Sequence, residues 1–385
     1  MKNFIYTANP SRVVFGVGAL QYLAREIELL GARRALVLST PEQEDSARRV
    51  ADLLGDRAAG IFARAVMHVP IETAREARDE ARRLGADCAV AIGGGSTTGL
   101  GKAIALLDAI DAPPVDSSAP SRGAGAQRLG APGQGLPILA IPTTYAGSEV
   151  TAIYGLTEGG VKKTGRDPRV LPRTVIYDPE LTLTLPYAMT VTSAFNAIAH
   201  AAEGLYAPDA NPVIGLMAEE GIRACAAALP ALRADPKDLA ARSDALYGAW
   251  LCGTVLGAIT MGLHHKLCHT LGGSFNLPHA AAHTVILPHA LAYNARAAEG
   301  AMSRVGRALG VKGEADPMAA PRALHDLARL YGAPTSLAAI GMPADGLDRA
   351  ADLAASSPYP NPRPLERAAL RALLQRAYDG VPPQA

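Results

Sequence analysis

The sequence predicts two domains: a doubly wound α/β domain with a mainly parallel sheet over residues 1–184, and an all-helical domain over residues 185–385. Three observations carry this. A chain of 385 residues is too long for one small core and suits two domains. Its first half alternates short aliphatic runs with amphipathic stretches, the pattern of a sheet covered by helices on both faces. From about Leu185 the strand-like runs stop, and Ala/Leu-rich segments with Gly or Pro stops continue to the end.

Taken in chain order, ALVLS (35–39), CAVAI (88–92), ILAIP (138–142) and TVIYD (174–178) read as parallel strands buried on both faces. Between them, PEQEDSARRVADLLG and PIETAREARDEARRLGA place apolar residues at helical spacing with charged outer faces. Residues 111–135 are rich in Pro, Gly, Ala and Ser and nearly free of large apolar side chains, which predicts a flexible surface insertion. Beyond them TSAFNAIAHAAEGLY, DALYGAWLCGTVLGAITMGLHHKLCHTLGG and LERAALRALLQRAYDG supply the helices of the second domain. The active site is expected in the cleft between the two domains.

Composition narrows the function. Apolar residues make up 49 % and charged residues 19 %, the values of a globular enzyme. A formal net charge of +1 argues against nucleic acid or an anionic membrane as a partner. Cys88, Cys225, Cys252 and Cys268 are widely spaced and form no CxxC pair, so a disulfide scaffold is not expected. The N-terminal stretch lacks the apolar region of a signal peptide, and no apolar run reaches a membrane span's length, so the expected compartment is the cytoplasm.

CAVAIGGGSTTGLGK joins a strand, a glycine turn and a helix start. Gly93, Gly94 and Gly95 permit close backbone approach, and Ser96 and Thr97 open a helix whose free amides favour a pyrophosphate. The spacing is not GxGxxG, so an ordinary Rossmann fingerprint is not indicated. The segment IPTTYAGSE (141–149) clusters Thr143, Thr144 and Ser148 at a strand's C-terminal end, a second wall for a nicotinamide or its ribose. Ser39 and Thr40 stand where a carboxylate would select against a ribose 2′-phosphate. NADH is the expected cofactor, with NADPH not strongly excluded.

Six of the nine histidines lie between 264 and 289, with His200 upstream. Asn196, His200 and Glu203 share one helix face, and His265 and His269 share another. His264 is turned about 100° from His265. Gly272 and Gly273 are expected to end that helix, and after Pro278 the pair His279 and His283 repeats the i, i+4 spacing. Two chemistries fit: metal ligation by His200, His265 and His279, or metal-free acid catalysis. Asn196 offers only a neutral oxygen where a cation would gain most from a carboxylate.

GGGS, PTT, DPELTLTLP, NAIAHAAEGLY and HHKLCHTLGGSFNLPH together resemble the iron-containing alcohol dehydrogenases over nearly the whole chain. GGGSTTGLGK, PTTYAGSE, RDPRVLPRTVIYDPELT, YAPDANPV and LYGAWLCGT are similar in particular to the maleylacetate reductase branch. The resemblance implies a dehydroquinate synthase-like fold, a homodimer and the NAD(P)H-dependent reduction of an unsaturated keto-diacid. It places the metal-dependent members' Asp and three His at Asn196, His200, His265 and His279. The Asp-to-Asn change departs from metal binding and agrees with that branch, for which no metal is expected. Gly99, where GGGSxxD would have Asp, is a second departure.

The catalytic candidates are therefore His200, His265, His269, His279 and Asn196. The cofactor candidates are Ser39, Thr40, Gly94, Gly95, Ser96, Thr143, Thr144 and Ser148. A dicarboxylate calls for local cations, with Lys266, Lys163 and His264 foremost and Lys162, Arg166 and Arg173 behind them. The rival readings are a metal-dependent alcohol or polyol dehydrogenase of the same family and, more remotely, a catalytically silent NAD-binding protein.

Overall fold

The computed structural model describes residues 4, 6–9, 11–111, 135–159, 161–312, 316–356 and 359–385. The flexible insertion expected at 111–135 falls, from 112 to 134, outside the described residues. The chain forms two compact units: an α/β unit of Asn9–Thr144 and Ser148–Thr182, and a helical unit built on Leu183–Ala385.

In the α/β unit, strands and helices succeed one another as β1 (Arg12–Phe15), α1 (Leu23–Leu29), β2 (Ala35–Leu38), α2 (Glu44–Leu54), β3 (Ala58–Phe62), α3 (Ile71–Arg83), β4 (Cys88–Gly93) and α4 (Gly95–Asp111). β5 (Ile138–Pro142), the hairpin β6 (Ile153–Glu158) and β7 (Val161–Arg166), and β8 (Thr174–Tyr177) follow. Six strands make one sheet in the order β1-β8-β5-β4-β2-β3, parallel at every pairing. The strands alternate their side chains between two apolar layers. Leu36, Leu38, Ala89 and Ala91 face α3 and α4, whereas Ala35, Val37, Cys88, Val90 and Ile92 face α1 and α2. Burial on both faces is why these runs are continuously apolar.

The winding reverses between β2 and β4: the chain moves outward from β2 to β3, then returns to place β4 on the other side of β2. Such a switch opens a crevice at the strands' C-terminal ends. Two strands and the hairpin were not foreseen. β1 and β3 are the sheet's edges, short and half-exposed, so they lack the apolar signature of the central strands.

The helical unit comprises α5 (Tyr187–Gly204), α6 (Pro212–Ala234), α7 (Leu239–Ala258), α8 (Leu263–Phe275), α9 (His279–Asn294), α10 (Glu299–Ala308), α11 (Ala319–Leu330), α12 (Gly346–Ala355) and α13 (Arg367–Asp379). Among the described residues it contains no strand. Leu267, Leu271, Ile286, Ala350, Leu370 and Leu374 lock α8, α9, α12 and α13 around one core. α6 and α7 approach closely because Gly221 and Gly248 leave room for Cys252 and Cys225: a Cβ at either glycine would lie 2.7 or 2.6 Å from the opposing sulfur. α7 and α8 meet at 95°. Contrary to the sequence expectation, Gly272 and Gly273 do not end α8. It runs on to Phe275 and stops at left-handed Asn276 (φ 54°), the following Leu277 being buried in the core.

Tyr145–Gly147, which the sequence reading placed within the α/β domain, packs instead with the helical unit. Tyr145 is wholly buried there; its N–H donates to Ser193 Oγ (3.0 Å) and its hydroxyl accepts from the buried guanidinium of Arg242 (3.3 Å). Arg242 also donates to Thr190 Oγ1, Leu185 O and Pro236 O. Among the described residues no single helix is long and apolar enough to cross a membrane.

Candidate active site

At the switch point, β4 ends in Gly93 and α4 begins at Gly95. Gly93 has φ 150°, and a Cβ there would come within 2.5 Å of Thr97 Oγ1 and 2.7 Å of Gln43 Oε1. A Cβ on Gly94 would sit 3.0 Å from Thr144 Cγ2. Only glycine leaves this cradle open, and the first amides of α4 have no intrahelical partner. Ser39 and Thr40 follow β2, Thr143 and Thr144 follow β5, and Gly94, Gly95 and Ser96 form the turn itself. Seven of the eight cofactor candidates thus lie at the C-terminal ends of three adjacent strands. Ser39 Oγ and Thr97 Oγ1 are buried without a hydrogen-bond partner, as groups awaiting a polar ligand would be.

Ser148 is placed differently. Its carbonyl and hydroxyl both accept from Lys102 Nζ, at 2.6 and 3.2 Å. Lys102 is fully buried in α4 and donates also to Thr151 Oγ1 and Ile153 O. Burial pushes its pKa down to about 7, opposed by the nearby Glu149 carboxyl. Sequence reasoning passed over this lysine because a single cation inside an apolar helix carries no periodic signal.

In the helical unit, α5, α8 and α9 bring the histidines into one nest. His200 stacks on His265 with ring centroids 5.1 Å apart and an interplanar angle of 30°. His283 is the hub: its ring lies 4.2 Å from His279, 4.7 Å from His264, 5.0 Å from His265 and 6.1 Å from His200. His269 reaches His265 at 6.3 Å. His200, His264, His265 and His283 are buried, whereas His269 and His279 are exposed. Gly147, at φ 77°, passes so close that a Cβ would stand 2.8 Å from Gly253 Cα and 3.5 Å from His200 Nδ1.

Glu203 organises the nest from beneath. Its carboxylate accepts from the N–H groups of Gly262, His264 and His265 at the start of α8, and from His265 Nδ1 at 2.6 Å. Its outer side borders a cavity of about 490 Å³ lined also by Tyr206, Thr260 and Asn361, so this carboxylate lies between the nest and open volume. Burial raises the pKa of Glu203, against those donors. Burial, reinforced by neighbouring imidazoles, holds His200, His265 and His283 well below the ordinary histidine value and His264 at about 3. The buried imidazoles are therefore neutral at neutral pH. The bond to Glu203 puts the His265 proton on Nδ1 and leaves Nε2 with a lone pair and no partner. His264 Nε2 donates to the His283 carbonyl at 3.1 Å.

The structure thus brings His200 and His265 together in the nest, with His269 and His279 at its rim, and Asn196 lies buried on α5 one helical turn before His200. Of the substrate candidates, His264 is wholly buried and held by the His283 carbonyl, so it presents no open face to a substrate. Lys163 lies on the β6–β7 hairpin, paired with Glu158 at 2.8 Å. Lys266 sits over the ring of Tyr359 at 5.7 Å. The residue that sequence reasoning undervalued is His283. Its i, i+4 spacing from His279 was visible, but only the structure shows that the inner member of the pair is central.

Nitrogens of His200, His265 and His283 lie within 4.8 Å of one another, with His283 where His279 was expected. His279 is the first residue of α9 and exposed, while His283 points inward one turn later. Three neutral imidazoles suit a borderline cation, which would lend Lewis acidity to a bound oxygen. A hard dication is poorly served: Asn196 is neutral, with its Oδ1 lacking a partner, and Glu203 is committed to five donors, the Tyr206 hydroxyl among them.

Two family models match the chain, iron-containing alcohol dehydrogenase over residues 10–179 and the C-terminal domain of the Fe-containing alcohol dehydrogenase family over residues 190–378. The chain is 67 % identical over 383 residues to a maleylacetate reductase of Burkholderia cepacia, covering 100 % of both. It is 54 % identical to one from Sphingobium indicum, covering 99 % of each. The crystal structure of maleylacetate reductase from Agrobacterium tumefaciens superposes with a TM-score of 0.88 at 51 % identity, covering 100 % of both chains. With a parallel sheet opening on a glycine cradle, a helical unit carrying the histidine nest and these full-length likenesses, the chain belongs to the iron-containing alcohol dehydrogenase family, in its maleylacetate reductase branch.

Proposed function

We propose that this NAD(P)H-dependent oxidoreductase reduces the C=C bond of maleylacetate to give 3-oxoadipate, without a metal ion. A nicotinamide held by the glycine cradle would supply hydride to the alkene carbon remote from the ketone. Charge then develops on the ketone oxygen as an enolate, far less basic than the alkoxide formed when a simple carbonyl is reduced, so hydrogen-bond donors suffice to hold it. The Asn196 amide and an imidazole N–H of the nest are the donors on that oxygen. His265 Nε2, with the Glu203 carboxylate at Nδ1 offsetting the charge, takes up a proton and delivers it to the enolate carbon beside the ketone, so that hydride and proton together complete 3-oxoadipate. The exposed rings of His269 and His279 pass protons between solvent and the nest. The glycine cradle, with Ser39, Thr40, Thr143 and Thr144, holds the dinucleotide, and the neutral Ser39 and Thr40 admit NADPH as well as NADH.

The observation that carries the metal-free reading is Asn196, a buried neutral side chain where the metal-dependent members place Asp. The test follows NADH absorbance with freshly generated maleylacetate and chelator-treated protein, with metal analysis of the same sample. Undiminished turnover without bound metal is expected. Activity lost to the chelator and restored by iron or zinc, with turnover of simple alcohols, would instead support the second reading, a metal-dependent dehydrogenase using His200, His265 and His283.

A further inference from the structure

A second set of unpartnered nitrogens lies deeper in the helical unit. His289 is on α9, six residues and about 9 Å of helix rise beyond His283. It is 2 % exposed, and neither ring nitrogen has a hydrogen-bond partner. His325 on α11 is 6 % exposed, with Nε2 unpartnered, and its ring stands 6.5 Å from that of His289 at 83°. Arg376 on α13 contributes a buried Nε that is also unpartnered.

The charges around these groups are cationic. Arg376 and His325 act on His289, and Arg363 acts on Arg376. Arg363 is occupied elsewhere, over the Tyr293 ring at 4.1 Å and on the Tyr293 carbonyl. The carboxylate of Asp326 stands 3.9 Å from His325 Nδ1 but is 66 % exposed. Buried donors and a half-buried guanidinium are costly without acceptors and counter-charge. A centroid separation of 6.5 Å is too long for one ring to bond the other, yet each can reach a group between them with N–H···O bonds of about 2.8 Å. A water there would accept hydrogen bonds but leave the guanidinium charge uncompensated. An oxyanion supplies several acceptor oxygens and the missing charge together.

We propose that His289, His325 and Arg376 form a binding site for a small oxyanion, inorganic phosphate or a carboxylate, that fastens α9 to α11 and α13. Because α9 also carries His279 and His283, an occupied site stiffens the helix that completes the nest.

The experiment is thermal unfolding of the full chain in inorganic phosphate, adipate or sodium chloride at matched ionic strength. The glycine cradle can itself take phosphate, so the informative quantity is the part of the response that Arg376→Gln removes. The expected result is a saturable rise in Tm of about 2 °C with phosphate or adipate in the unmodified protein. At least half of that rise should be lost in Arg376→Gln, with NADH turnover unchanged. Whichever probe gives the Arg376-sensitive rise names the source of the oxyanion. No rise with either probe, or the same rise in the variant, overturns the proposal. If Arg376→Gln does not fold, Arg376→Lys replaces it, keeping the charge but losing Nε and the planar fork. About tenfold weaker binding is then expected, and unchanged affinity overturns the site.

Discussion

At the scale of single residues, the side chain at 196 sets the electrostatic character of the nest. Asn196 is 4 % exposed and neutral, and each buried imidazole beside it is neutral too. Asn196→Asp would place a carboxylate there without a partner, at a cost of about 2–4 kcal/mol of stability in the metal-free protein. The same change supplies the anionic ligand that a dication lacks. Retention of iron or zinc after dialysis should therefore rise at least tenfold, read by metal analysis, while turnover of maleylacetate falls. Unchanged metal retention would show that position 196 does not control the site's preference. Much at this scale was legible: histidines at helical spacing and an Asn in a position for Asp announce themselves in the sequence. The depth of each ring was not. His279 and His283 are equivalent in spacing, and only the start of α9 makes one exposed and the other buried.

At the scale of elements, α4 is held at both ends of its function. Its first turn forms the cradle, and one and a half turns later Lys102 grips Ser148, Thr151 and Ile153 by four contacts of 2.6–3.2 Å. Lys102→Met should cost about 3–5 kcal/mol, because it removes a buried donor and leaves carbonyl and hydroxyl acceptors unpaired. It should also raise the KM for NADH more than it lowers kcat, since the cradle is displaced while the nest is untouched. Denaturant unfolding and steady-state kinetics read the two effects; an unaltered KM for NADH would separate the latch from the cradle. β2, β4, β5 and β8 could be read from sequence because burial on both faces leaves a continuous apolar run. β1, β3 and the β6–β7 hairpin could not, because edge strands keep half their residues polar or small. The glycine pair in α8 misled for a related reason. Glycine costs about 1 kcal/mol in a helix, and the packing of Leu267 and Leu271 outweighs it.

For the molecule as a whole, buried neutral histidines make stability depend on acidity. The pKa of His289 is held at about 3, mainly by burial and then by His325 and Arg376, against the ordinary histidine value of 6.5. Below pH 6.5 the unfolded chain takes up a proton that the folded one refuses, so stability is intact above that pH and is lost progressively down to about 3. His289 alone accounts for about 2 kcal/mol of loss by pH 5. The expected outcome is a urea midpoint that falls between pH 6.5 and 5 and falls less steeply in His289→Asn. Parallel slopes for the two proteins would contradict it.

The chain crosses between its two units at Ala8–Asn9, Thr144–Tyr145, Gly147–Ser148 and Thr182–Leu183. Neither half is therefore a cassette that could be cut out, swapped between relatives or expressed alone at the Thr182 junction without loss. A fragment ending there would carry Tyr145 away from the guanidinium that holds it, and the remaining helices would keep Arg242 with a hydroxyl missing. Three residues bind the inheritance of one half to that of the other, so chimaeras between family members must exchange the Tyr145–Gly147 strip together with the helices, not with the sheet.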